Sequence, residues 1–389
     1  MRIVHIITRM IVGGAQENTR FNCLDLLRIY DDEVSLITGP SLGAEGSLLD
    51  KFSDPDLRVI EIPELIRSIR PWTDFQAYRR LRAILKELRP DVVHTHSAKA
   101  GIVGRAAAWS LKIPCVVHTV HGAPFHPYQP WLARKSFQAC ERWAAKRCHK
   151  LISVADAMTD LLVQANVAPR SKFQTIYSGM DIEPFLQAER FRDSARAELG
   201  LAAEDIVVGK IARLFNLKGH EYLLDAAPGI IEKNPNIKFL LVGDGSLRAS
   251  IEQSISSKGL SKHFLFTGLV PPTDIPKWIS AMDMLVHVSL REGLARALPQ
   301  ALLAGKPVIS YDVDGAREVV LNQLTGFLIP PKSIDELQSA ILQLASDPSL
   351  CAKMGSYGQS RCSEIFDHRH MTREIRELYQ RVLEQTGAK

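Results

Sequence analysis

Two cations and one carboxylate in the second half of the chain have the types and spacing for phosphate and sugar chemistry. The segment GKIARLFNLKGHEYLL holds Arg213 and Lys218 five residues apart, in a loop between a strand-like run and a helical one. A guanidinium and an ammonium beside a helix start suit a diphosphate, because charge-assisted bonds to phosphoryl oxygens add to those from the open helix N–H groups. A pair of solvated charges is the alternative. Further on, SLREGLARALPQ carries Glu292 and Gly293 in a loop. Pro299 is tolerated only near a first helical turn, so a helix is expected after about Ala295, with the N–H groups of residues 294–297 open to a ligand.

Other candidates lie in the loops that follow strand-like runs. TRMIVGGAQENT carries the Gly13-Gly14 pair, which lets backbone N–H groups approach an anion or else makes a plain tight turn. It is not a dinucleotide fingerprint, since G-x-G-x-x-G is absent. HTHSAKAGIVGR carries His94, His96, Lys99 and Arg105, and HTVHGAPFH carries His121 just past a strand end, where a ligand contact is favoured. VGDGSLR and FTGLV add turns at Gly243 and at Gly268 and Leu269. His94 and His96 share one face of a strand, but no carboxylate or cysteine lies close in sequence to complete a zinc set, so no metal is expected there.

The elements that must hold these residues follow from hydrophobic patterning. RIVHII, EVSLIT, LRVIEI, DVVHTH, CVVHTV and KLISVA are β-branched runs of strand length, with amphipathic stretches between several of them. The pattern restarts after IYSGMDIEPF with IVVGKIA, KFLLVGD, HFLFTG, MLVHVS, PVISYD and GFLIPP. Two doubly wound α/β domains with parallel sheets are predicted, joined near residues 178–185. The 389 residues and 46% hydrophobic content agree with two soluble domains, and no apolar run is long enough to cross a bilayer. The six cysteines form no C-x-x-C pair and are expected to be reduced packing residues. The net charge of +5 resides in the first half, and residues 65–150 hold 16 basic against 4 acidic side chains. Two basic amphipathic helices in that window are either solvated surfaces or a face for an anionic partner.

In order along the chain, GGAQ, DVVHTHSAKAGIVGRAAA, TVHG, SGMD, ARLFNLKGHEYLL, VGDGSLR, SLREGL and LLAGKPVISYDVDGAREVV resemble the landmarks of retaining glycosyltransferase family 4, the group 1 glycosyltransferases. The resemblance spans nearly the whole chain. It implies the GT-B architecture, with two Rossmann-like domains facing across a cleft and a last helix that crosses back to the first domain. Residues 1–184 with 371–389 would bind the acceptor, and 185–370 the nucleotide-sugar donor.

The resemblance implies that Arg213 and Lys218 hold the donor diphosphate and that His121 contacts the transferred sugar. Glu292 matches the first glutamate of the family's pair and would hold that sugar with the N–H groups of Gly293, Leu294 and Ala295. Gln300 replaces the second glutamate, which usually binds the ribose. Gly14, Gly243, Gly268 and Leu269 fall on the donor side; Gly13, Lys99 and Arg105 fall on the acceptor side. No metal is expected to assist, because fixed cations and N–H groups stabilise the leaving diphosphate; the acidic pair Asp312 and Asp314 is discounted.

The activity expected is transfer of a sugar from a nucleoside-diphosphate sugar, with a UDP-linked hexose or N-acetylhexosamine favoured, to a sugar or lipid-linked acceptor of cell-envelope polysaccharide synthesis. A nucleotide-sugar epimerase of the same architecture is one alternative. A nucleic-acid-binding protein is another, ranked last because the basic window lacks interleaved aromatic recognition residues. The expected location is cytoplasmic, peripheral on an anionic membrane face.

Overall fold

The computed structural model describes residues 1–41, 46–52 and 54–387. It contains two compact units, Met1–Met180 with Phe366–Lys389, and Asp181–Ile365. The chain thus passes between units after Met180 and Ile365, a few residues before the expected 184 and 370. The last two residues of the expected 371–389 segment lie outside the described residues.

The first unit holds β1 (Arg2–Ile7), β2 (Glu33–Thr38), β3 (Arg58–Glu61), β4 (Val92–His96), β5 (Cys115–Val120), β6 (Lys150–Ser153) and β7 (Phe173–Thr175). All pair in parallel in the order β3-β2-β1-β4-β5-β6-β7. A parallel sheet is covered on both faces, which is why β5, CVVHTV, is buried at every residue. The second unit holds β8 (Ile206–Ile211), β9 (Ile237–Val242), β10 (Phe264–Gly268), β11 (Met284–His287), β12 (Val308–Tyr311) and β13 (Gly326–Ile329), in the order β10-β9-β8-β11-β12-β13. Twelve of the thirteen strands lie on the runs read from sequence. The exception is β7, three half-buried residues at the sheet edge with no apolar run to announce them.

Helix His368–Thr386 belongs to the first unit. Its apolar stripe, Met371, Ile375, Leu378, Tyr379 and Val382, recurs with helical spacing and completes a core shared with Ile3, Ile7, Cys23 and Val117. Each such side chain, fully buried, contributes about 1.5–3 kcal/mol. Polar contacts fix the docking register: Thr372 Oγ1 donates to Asp25 Oδ2 at 2.8 Å, and Arg376 Nε to Asp32 Oδ2 at 2.9 Å. The helix is also the crossing-back element that the family resemblance implies.

Each sheet reverses its winding at one point, between β1 and β4 in the first unit and between β8 and β11 in the second. Loops leaving the carboxyl ends of those strands diverge to opposite faces and leave a crevice, the usual ligand position in such sheets. Among the described residues, no helix is long and apolar enough to cross a membrane.

Candidate active site

In the second unit the loops after β8 and β11 flank the reversal, and they carry Arg213, Lys218 and Glu292. The two loops are pressed together. A side chain on Gly219 would meet the Val288 carbonyl oxygen at 1.8 Å, and Gly219 has a φ of +73°, so only glycine fits. The N–H of Leu290 donates to the Leu217 carbonyl at 2.9 Å. This contact brings Lys218 Nζ to 2.5 Å from Glu292 Oε1.

Glu292 is held from three sides. Its backbone N–H donates to Asp314 Oδ2 at 2.6 Å, and His287 Nε2 lies 3.3 Å from Oε1, off the line of a hydrogen bond. Burial pushes its carboxyl pKa up, but His287 and Lys218 outweigh burial and hold it well below the usual carboxylate range. Burial lowers the pKa of His287, while the neighbouring Glu292 pulls it the other way. The discounted acidic pair is committed elsewhere: Asp312 holds Arg317 at 2.7 Å, while Asp314 anchors the Glu292 backbone.

The other donor-side candidates lie on the same sheet edge. Arg213 spreads over the Phe215 ring, 5.1 Å from its centre. The Gly243 N–H donates to the Gly268 carbonyl at 3.0 Å, and a side chain on Gly243 would lie 2.3 Å from the Ala212 carbonyl oxygen, so the loop after β9 lies against the one after β8. Leu269 is exposed.

The helix expected after about Ala295 runs Ala297–Leu303 and is only seven residues long. Gly293, Leu294 and Ala295 are therefore loop residues. Pro299 is the helix's third residue, where its missing N–H costs no internal bond. Gln300, half-buried, is its fourth.

Lys210 and His287 escaped the sequence reading. Lys210 interrupts the buried strand β8, is 1% exposed, and its ammonium has no hydrogen-bond partner among the described residues. A charged residue inside IVVGKIA was the available signal. Burial, reinforced by Lys218, pulls its pKa down to about 7. Below that value the lysine is charged in both folded and unfolded chains, and the fold carries the full desolvation cost. Between about 7 and the ordinary 10.5 the folded protein has released the proton while the unfolded chain keeps it, so stability rises with pH across that window. Lys210→Met should therefore raise unfolding stability at pH 6 by about 2–4 kcal/mol, with the gain shrinking towards pH 10. Denaturant unfolding at both pH values checks this, and an equal gain at both would refute it.

In the first unit, Gly13 precedes helix Gly14–Arg28, so the glycine pair does mark a helix start after β1. Two acceptor-side candidates do not face a ligand. Arg105 is fully buried, donating from Nε to the Gly101 carbonyl at 2.7 Å and from Nη2 to Glu141 Oε2 at 2.9 Å. Its charge ties helix Ala98–Ser110 to helix Trp131–Ala145. Lys99 donates to the Ser68 carbonyl at 2.5 Å and pairs with the Asp74 carboxylate, which tethers it to helix Pro71–Leu88. The sequence reading placed both in the segment that follows a strand-like run but could not show that each had an internal partner.

His121 is half-buried just past β5, and behind it lies a set of histidines that the sequence reading saw only in part. His5 on β1 stands opposite His94 on β4 and joins His94 and His96 in one buried group whose ligand-capable atoms lie within 4.8 Å of one another. His5 was missed because it is distant in sequence. Five of the six ring nitrogens in that group already have hydrogen-bond partners: His5 Nδ1 with His96 Nε2, His96 Nδ1 with His121 Nε2, and both nitrogens of His94 with Tyr379 and Thr119.

Two family models match the chain, Glycosyltransferase Family 4 over residues 27–184 and Glycosyl transferases group 1 over residues 191–361. The chain is 31% identical over 353 residues to UDP-Gal:alpha-D-GlcNAc-diphosphoundecaprenol alpha-1,3-galactosyltransferase of Escherichia coli, covering 90% of this chain and 89% of that one. It is 23% identical to the capsular polysaccharide biosynthesis glycosyltransferase CapM of Staphylococcus aureus, covering 94% of each. Among solved structures, Anabaena Alr3699/HepE in complex with UDP superposes with a TM-score of 0.80 at 25% identity, over 98% of this chain and 100% of that one. The chain belongs to the family 4, group 1 glycosyltransferases of GT-B fold, and it is a glycosyltransferase that uses a nucleotide-sugar donor.

Proposed function

We propose that the protein is a retaining, UDP-sugar-dependent hexosyl- or N-acetylhexosaminyltransferase that acts on a lipid-linked saccharide in cell-envelope polysaccharide synthesis. The observation that carries this reading is the meeting of Lys218 and Glu292 at the winding reversal of the second sheet, with Arg213 in the same loop as Lys218. Support for the base and acceptor comes from the Escherichia coli relative, whose name gives UDP-galactose as donor and a diphosphoundecaprenol-linked GlcNAc as acceptor.

In this reading the second unit binds the donor and the first binds the acceptor. Arg213 and Lys218 neutralise the diphosphate as its bond to the sugar C1 breaks, and the acceptor hydroxyl attacks from the face the diphosphate leaves. Gly14, Gly243, Gly268 and Leu269 border the donor. Glu292 holds the transferred sugar with the Gly293, Leu294 and Ala295 N–H groups, His121 contacts the transferred sugar, and Gln300 pairs with the ribose through its amide. Gly13 borders the acceptor. No metal assists, because the two cations carry the charge that a metal would.

The basic helices of the first unit favour an anionic membrane over a nucleic acid. Ile69 and Trp72 near the start of helix Pro71–Leu88, and Trp131 and Leu132 at the start of helix Trp131–Ala145, are each more than 60% exposed. Apolar side chains among arginines and lysines suit a lipid interface, at the cytoplasmic face.

The test is transfer to diphosphoundecaprenol-linked GlcNAc in vesicles with EDTA present. UDP-sugars should support turnover while GDP- and ADP-sugars do not, and phosphatidylglycerol vesicles should outperform neutral ones at low salt. Activity restored only by added magnesium or manganese would remove the metal-free claim. Equal rates in both vesicle types would remove the membrane surface. Free sugar released at the rate of donor loss, with or without acceptor, would remove the transferase reading.

A further inference from the structure

The three bonded imidazoles His5, His96 and His121 run from the interior of the first sheet to the end of β5. His5 Nδ1 lies 2.9 Å from His96 Nε2, and His96 Nδ1 lies 3.1 Å from His121 Nε2. His5 and His96 have no exposed surface, and burial holds the pKa of both far down, that of His5 to about 3. Each is therefore neutral, with one N–H and one lone pair, so the two bonds must point the same way along the chain.

The inner end decides which way. His5 Nε2 is buried with no hydrogen-bond partner among the described residues. If the bonds ran inward, that nitrogen would carry an N–H with no acceptor, and orphaned buried donors are rarer than orphaned acceptors. If they run outward, it keeps only a bare lone pair. The same dead end rules out a proton shuttle, because a proton passed inward along the chain would have nowhere to go.

We propose that His5 and His96 are positioning residues that fix the tautomer of His121, so that His121 accepts from His96 at Nε2 and carries its own proton on Nδ1. His121 is thereby set as a hydrogen-bond donor. Resting on the reading that His121 contacts the transferred sugar, this donor serves a sugar hydroxyl oxygen and spends none of its energy selecting a tautomer during the reaction. His94, bonded to Tyr379 at 2.5 Å and to Thr119 at 2.7 Å, lies beside the chain and is no link in it.

The experiment is long-range 1H–15N correlation on the full-length protein labelled at histidine, wild type against His96→Phe, with donor kinetics on both. Wild-type His121 should carry its proton on Nδ1, and in His96→Phe it should move towards the Nε2–H form. The variant's kcat should fall about tenfold with donor KM little changed, the pattern of a contact that matters chiefly in the transition state. Should His96→Phe not fold, His5→Phe provides the second variant: with the inner end removed, His96 can reverse, and His121 should show both tautomers. An Nε2–H tautomer in wild type, or an unchanged tautomer in the folded variant, overturns the proposal. A shifted tautomer with undiminished kcat leaves the tether standing and removes His121 from the sugar, which separates this inference from the reading beneath it.

Discussion

Glu292→Gln lowers kcat at least about a hundredfold, the scale of losing a transition-state contact in an electrostatically organised site. The amide has the same size and can still accept from Lys218, so the two loops need not move apart. What disappears is a negative charge that the fold maintains at some cost: burial opposes it, and only His287 and Lys218 together hold the carboxyl well below its ordinary pKa range. With the charge gone, Lys210 and Lys218 face each other without the anion that now offsets them. The contrasting change is Gln300→Glu. It adds a charge to a side chain that we propose pairs with a ribose hydroxyl, and it should move donor KM by less than about tenfold, with kcat little changed. Steady-state kinetics on both variants, with circular dichroism to confirm folding, decides the matter. A Glu292→Gln enzyme within tenfold of wild-type kcat would remove the carboxylate from the reaction.

Arg213→Ala and Lys218→Ala should each reduce kcat at least about tenfold, since a hydrogen bond to a charged group contributes about 1.5–3 kcal/mol and each 1.4 kcal/mol is a factor of ten in rate. The two should differ in a way the structure specifies. Arg213 lies over the Phe215 ring, and its removal leaves the Glu292 pair intact. Lys218→Ala also removes the cation 2.5 Å from Glu292, so it disturbs the carboxylate proposed to hold the sugar as well as the proposed diphosphate contact. The Lys218 variant should therefore lose more turnover than the Arg213 variant, and their effects should not add to that of Glu292→Gln. Near-normal kinetics in both single variants would reject the diphosphate assignment. Full additivity of Lys218→Ala with Glu292→Gln would show that the resting pair has no part in the reaction.

The fold was legible because a parallel sheet covered on both faces demands uninterrupted apolar runs, and twelve such runs stand in the sequence with turn residues between them. The strand β7 was not legible: its residues, FQT, gain their place from pairing with β6 and not from any pattern of their own. The docking of helix His368–Thr386 was half legible. Its stripe could be read, but its partner, about 350 residues earlier, could not be found from sequence spacing. Only the family resemblance pointed to the first domain.

The sequence by itself determined two doubly wound domains, the loops at the strand ends, and the candidates Arg213, Lys218, Glu292 and His121, because strand ends and helix starts are local and chemistry follows residue type. Tertiary structure alone decided which charges are committed. Arg105 and Lys99 resemble ligand-binding cations in sequence, but Glu141 and Asp74 neutralise them inside the fold. Lys218 and Glu292, separated by 74 residues, meet because Gly219 lets one loop close against Val288. His5 and His96, 91 residues apart, touch because β1 and β4 are neighbours at the winding reversal. Pairing across a sheet depends on strand order and register, and neither can be read from spacing along one chain.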